Sequence, residues 1–190
     1  MNTLNFKHFL MLSFFTICAT MAVDVGTRHD VMLAEAKLIK TVDIKQLVCL
    51  ANAIYYEAGG ESVTGQAAVA RVVINRVNHG FASNPCKVVY QTNIRTKIDE
   101  YTQEEKLYKL CQFSWVCEDK PKPNDNNPRY IQAKQVAYNV LAFDAYKEVV
   151  PKTTLFFHNL TVDPSWPYYR VNQIGNHIFY SKKKPQEHKK

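Results

Sequence analysis

The chain has 190 residues, 46% of them hydrophobic and 22% charged, with a formal net charge of +7. This balance excludes a wholly disordered chain, a collagen and a polytopic membrane protein, and the length suits one domain. Aromatic residues reach 12%. Beside a positive charge they suit an acidic polymer or a carbohydrate as well as an ordinary core.

The first 22 residues read as a secretory signal peptide. Lys7 precedes an apolar run, Phe9–Val23, and Thr20 and Ala22 supply small residues before a cleavage point. The run is shorter than the roughly 20 residues a spanning helix needs. Contact with a membrane is expected only through this segment, if it stays uncleaved. Export then governs the cysteines. Of the five, Cys18 falls in the leader, and Cys49, Cys86, Cys111 and Cys117 are left to form two disulfides in any of three pairings. A zinc site built on all four lacks the CxxC spacing such sites use, so no metal is expected.

Residues 23–42 read as a lead-in with some helix near Ala34–Ile39. Asp43 caps a helix over Asp43–Ala58, with Gln46 three residues on and apolar side chains at helical spacing from Ile44 to Ala58. Gly59-Gly60 ends it. A second helix begins at Ser62 or Thr64 and runs to Asn78. Its Ala67, Ala68 and Ala70 allow a neighbouring helix close approach, and Gly80 stops it. Residues 81–98 read as irregular apart from a helical turn at Lys87–Tyr90. Asp99–Cys111 reads as a short polar helix, Glu118–Pro128 as a loop and Arg129–Tyr146 as a helix. Thr153–His158 and His177–Ser181 are rich in β-branched and aromatic residues and read as strands forming a hairpin. Lys182–Lys190 reads as a disordered basic tail. Residues 43–181 therefore make one domain.

Within that domain Glu57 stands out. On a helical wheel it falls beside Leu50 and Ile54, at the margin of the apolar stripe. A carboxyl placed there is partly desolvated, which disfavours its charged form, and the negative end of the helix acts in the same direction. A raised carboxyl pKa is what a general acid for glycosidic cleavage requires.

Several segments, in order, carry a resemblance. They are Ala53-Ile-Tyr-Tyr-Glu-Ala-Gly-Gly-Glu61, Gly65–Val77, Asn84–Gln91, Cys111-Gln-Phe-Ser-Trp-Val-Cys117, Thr154-Leu-Phe-Phe-His158 and Ile174–Tyr180. Together they resemble the SleB-type cell wall hydrolase family over residues 46–181. Gly59 departs from the arginine that many members carry there. The resemblance implies a lysozyme-like α+β fold, mainly helical with a small β-hairpin element. It also implies action on the glycan strands of peptidoglycan in the manner of a lytic transglycosylase. Glu57 matches the family's catalytic glutamate. No cofactor is implied.

Glu61 is the nearest second carboxyl by sequence, suited either to substrate or to backbone groups of the turn. Gln112 and Ser114 offer amide and hydroxyl groups for sugars, Trp115 offers a ring for a sugar face, and Tyr56 can line a glycan groove. His158 is expected to hydrogen-bond in the cleft or the core, since there is no HExxH to make it a metal ligand. The expected partner is peptidoglycan, whose peptides carry carboxylates that suit a basic protein. Nucleic acid is not expected, because no binding module for it is present, and the chain is expected to act as an exported monomer in the periplasm, cell wall or medium. The competing reading is a glycan-binding protein that keeps the groove without turnover.

Overall fold

The computed structural model describes residues 41–184. The expected signal peptide, most of the lead-in and the end of the basic tail lie outside the described residues. Helix α1 spans Ile44–Ala58. Asp43 Oδ1 caps it, accepting from the backbone N–H of Lys45 at 2.7 Å and of Gln46 at 3.3 Å. Gln46 does not complete a capping box. Its Oε1 accepts instead from Cys86 N–H at 3.2 Å, next to a Cys49–Cys86 disulfide. These two links pin α1 to the short helix α3, Pro85–Val89.

Helix α2, Val63–Asn78, starts at Ser62, whose hydroxyl accepts from Gly65 N–H. It is the central element. Residues on every side of it, including Ala67, Ala68, Val69, Val72 and Val73, are fully covered, the mark of a helix packed all round. One side joins Leu50, Ile54, Tyr130 and Val136 in the helical core. Another packs with Val150 and Phe179 under the sheet. Helix α5, Pro128–Phe143, completes the helical layer against α1 and α2.

The strands differ from expectation in two places. Residues 92–111 are not an irregular stretch followed by a polar helix. They form an antiparallel hairpin, β1 (Thr92–Ile98) and β2 (Glu105–Cys111), with Thr92 opposite Cys111 and Ile98 opposite Glu105. Nearly all of it is exposed. A second disulfide, Cys111–Cys117, ties its base to the short helix α4, Ser114–Cys117. The four cysteines expected to pair thus do so as 49–86 and 111–117.

The second difference is in the other sheet. β3 (Thr154–Asn159) and β5 (His177–Ser181) pair antiparallel as expected, yet they are not the two arms of a hairpin. The intervening strand β4 (Tyr169–Ile174) pairs with the other edge of β5, giving the order β3-β5-β4. The tight turn is Gly175-Asn176, with Gly175 at φ +55, the position where a two-residue hairpin turn needs a left-handed residue.

Polar side chains of α2 fasten the sheet to the helices. Asn75 Nδ2 donates to the carbonyls of Pro151 and Thr154, each at 3.0 Å. Arg76 Nε donates to Leu155 O at 2.8 Å. Arg71, buried, reaches Asp144 at 2.6 Å and holds that carboxyl below its usual range. Lys182, the first residue of the expected tail, lays its ammonium 5.7 Å from the ring centres of both Phe81 and Phe156. Among the described residues no helix is long and apolar enough to cross a membrane.

Candidate active site

Glu57 sits in the last turn of α1, half-buried. Burial pushes its carboxyl up from 4.5 to about 7. Arg76 draws it back, Glu118 pushes it up further, and the Trp115 indole N–H pulls it slightly down. That indole N–H is buried without a hydrogen bond of regular geometry, so its pull on Glu57 is a weak one. Arg76 is itself buried, which lowers its pKa to about 10 against the opposing attraction of Glu57. Its Nη1 is buried with no partner, and its guanidinium carbon lies 5.5 Å from the centre of Phe113 and 5.9 Å from that of Phe156. Sequence reasoning passed over Arg76. A cation inside the apolar run Val72–Val77 was the available signal.

Aromatic rings build the wall beside Glu57. Tyr56 stacks on Trp115 with ring centres 4.7 Å apart, and the Tyr56 hydroxyl donates to Pro121 O. Tyr90 meets Trp115 edge-on at 5.7 Å. Behind them Tyr130 donates to Asn52 Oδ1 at 2.9 Å, and Asn52 Nδ2 donates to the Tyr90 hydroxyl at 3.1 Å. These rings border a groove of about 410 Å³ that Lys109 and the segment Asp119–Pro123 also line. Glu57 is not itself among the groove's lining residues. Trp115 joins the two places, its N–H facing the carboxyl and its ring walling the groove.

The remaining expected residues fall elsewhere. Glu61 turns away from Glu57 toward the sheet. Its Oε1 accepts from Asn176 N–H at 3.2 Å and lies 3.9 Å from His177 Nδ1. The turn is closed around it, because a Cβ on Gly175 would collide with Glu61 Oε2. The Gln112 backbone N–H donates to Gln91 O at 2.9 Å at the hairpin base. Ser114 starts the short helix α4, where its carbonyl accepts from Glu118 N–H at 3.2 Å, and Lys120 holds the exposed Glu118 carboxyl below its usual range, with the Ser114 side chain adding to the effect. Neither Gln112 nor Ser114 lines the groove. His158 is buried. Its Nδ1 lies 2.8 Å from Asn159 O and its Nε2 2.9 Å from the Tyr180 hydroxyl. A carbonyl only accepts, so the proton is on Nδ1 and Nε2 accepts from Tyr180. Both ring nitrogens are thereby occupied. Among the described residues no group of three or more His, Cys, Asp or Glu is placed to hold a metal ion.

Two solved structures share this fold. The catalytic domain of the SleB protein of Bacillus cereus is 21% identical, with a TM-score of 0.50 over 75% of this chain and 94% of its own. The catalytic domain of a germination-specific lytic transglycosylase, SleB of Bacillus anthracis, is 22% identical, with a TM-score of 0.51 over 75% of this chain and 98% of its own. At these identities the likeness speaks for the fold, which is the mainly helical α+β arrangement that the sequence resemblance implies. No curated protein matches the chain. The model of the cell wall hydrolase family matches residues 60–180, well over half the sequence, and the chain is a hydrolase belonging to that family.

Proposed function

We propose that this protein is exported and cleaves the glycan strands of peptidoglycan between N-acetylmuramic acid and N-acetylglucosamine, with Glu57 as the acid and then the base. The observation that carries the reading is the Glu57 carboxyl, half-buried beside Trp115 and pushed up to about 7. It is largely protonated at mildly acidic pH and about half so near neutrality, as donation to the glycosidic oxygen requires. As carboxylate it then takes the proton of the muramic 6-hydroxyl, which closes on the anomeric carbon of its own ring and leaves a 1,6-anhydro end. One carboxyl suffices for this lytic transglycosylation. Glu61 is engaged with the Gly175-Asn176 turn, which supports a scheme that does not need it. Two disulfides among the described residues suit a chain that leaves the cytoplasm.

Glu118 favours a second reading. It is the carboxylate within electrostatic reach of Glu57, and Lys120 and Ser114 keep it ionised, as a base that activates water in plain hydrolysis must be. Digestion of purified peptidoglycan followed by mass analysis separates the cases. Anhydro-muramic ends that persist in Glu118→Gln support transglycosylation. Reducing ends that vanish with Glu118→Gln support hydrolysis. Binding without any fragments supports a glycan-binding protein and sinks both.

A further inference from the structure

The groove beside the Tyr56–Trp115 stack is built for something other than a neutral sugar. Three lysines, Lys109, Lys120 and Lys122, are among its lining residues. Lys120 is paired with Glu118 at 3.1 Å and Lys122 with Asp125 at 3.0 Å, and Asp119 also borders the groove. Lys109 has no ion-pair partner among the described residues. The Tyr90 oxygen already accepts from Asn52 Nδ2, and Asn52 Oδ1 is taken by Tyr130. The Tyr90 hydroxyl proton is therefore free to donate into the groove. Lys120 and Lys122 are neutralised by their partners and Asp119 is itself without an ion pair among the described residues, so the donors left for a carboxylate at this groove are the Lys109 ammonium and the Tyr90 hydroxyl. Its volume of about 410 Å³ lies in the range of small-ligand sites, about 300–1,000 Å³.

We propose that this groove binds the peptide that branches from the muramic residue of the strand being cut, through a carboxylate held by Lys109 and Tyr90. The inference rests on the glycan-cleaving reading of Glu57 and deepens it. Chemistry supplies the link. The stem peptide is attached to the lactyl ether of the muramic ring whose anomeric bond is broken, so it must leave the cleft within a few bonds of Glu57. Trp115, which touches both places, sets the groove at that exit. The Cys111–Cys117 disulfide gives the arrangement its rigidity. It joins the end of β2, two residues after Lys109, to the helix that carries Trp115, keeping the Lys109 backbone beside that helix.

The test compares sacculi bearing stem peptides with the same sacculi stripped by an amidase. The double variant Lys109→Gln/Lys122→Gln and the single variant Tyr90→Phe are assayed on both, with thermal unfolding as a check on folding. The wild type should prefer peptide-bearing strands. The lysine variant should lose about five- to tenfold in kcat/KM on those strands, the scale of one net hydrogen bond, and nothing on stripped strands; Tyr90→Phe should lose more on peptide-bearing strands than on stripped ones. Added salt should erode the wild-type preference. Equal losses on both substrates, or a wild type indifferent to the peptides, would overturn the assignment. A wild type that cuts neither substrate would refute the catalytic reading instead. In that case titration with the free tetrapeptide, followed by NMR, still tests the groove, because shifts clustered at Lys109 and Tyr90 support it and their absence overturns it. Shifts there with poly(glycerol phosphate) but not with the peptide would also overturn it.

Discussion

Replacing Glu57 by glutamine should do two opposite things, and the pH at which each appears follows from the same carboxyl. In the folded chain the group titrates near 7 instead of 4.5 because burial disfavours its charge. The unfolded chain ionises it at the ordinary value. Below about pH 4.5 both states hold the proton, so wild type and Glu57→Gln should be equally stable. Between 4.5 and 7 the unfolded state releases its proton while the folded state keeps it, and the wild type loses stability with each step of pH. Above about 7 the loss is complete. At about 1.4 kcal/mol per pH unit the shift amounts to at most about 3.5 kcal/mol, and water reaching the half-buried carboxyl reduces this to roughly 1–3. Urea unfolding of both proteins at pH 4 and pH 8 measures it: no difference at pH 4, a more stable variant at pH 8. Catalysis should move the other way. The variant cannot donate a carboxylic proton, so turnover of peptidoglycan should fall at least about a hundredfold. Wild-type kcat/KM should decline as the pH rises through about 7, where the acid is lost. Equal stability differences at both pH values would refute the desolvation argument, and a folded variant with near-normal turnover would refute the assignment of the acid.

Three further outcomes follow from neighbouring contacts. Arg76→Met removes the charge that draws the Glu57 carboxyl down, so the alkaline limb of the pH–rate profile should move up; a limb that stays put or moves down would show that Arg76 does not act on Glu57. Glu61→Ala should cost about 1 kcal/mol or more through the lost acceptor for Asn176 N–H, whereas Glu61→Gln keeps an acceptor oxygen and should retain most activity in a glycan assay. Opening the Cys49–Cys86 link, with a sequence separation of 37, should destabilise the chain by about 4 kcal/mol, and opening Cys111–Cys117, with a separation of 6, by about 2. Paired Cys→Ala variants compared by thermal unfolding should keep that order.

Helices α1, α2 and α5 were legible because each buries a stripe or more at helical spacing, and because Asp43, Ser62 and Gly80 punctuate them. The hairpin was not. Its alternation is present in Thr92, Ile94, Thr96 and Ile98, but no face is buried, so no contrast of apolar and polar marks it. Glu105 and Lys109 also stand four apart, which mimics a salt-bridged helix. β4 was missed because Tyr169–Ile174 is mostly exposed and owes its form to the β5 backbone beside it. Glu57 could be singled out because its place on the α1 wheel is local. Its environment could not, since Arg76 arrives from α2 and Trp115 and Glu118 from α4 and its C-terminal cap. Glu61 shows the reverse case, a carboxyl close in sequence that tertiary contact turns toward the Gly175-Asn176 turn.

Neither disulfide spans the tip of the β1–β2 hairpin. Each closes on its own side of the β1–β2 tip, where Tyr101 is 98% exposed. A protease that cuts between 99 and 104 would leave pieces that no covalent bond joins. One would hold Glu57, Arg76 and the Cys49–Cys86 link, the other Trp115, α5 and the three-stranded sheet. The burial of α1 and α2 against α5 and the sheet would then be all that keeps them together. The exposed tip thus divides the chain into complementary halves, neither of which contains both Glu57 and the indole beside it.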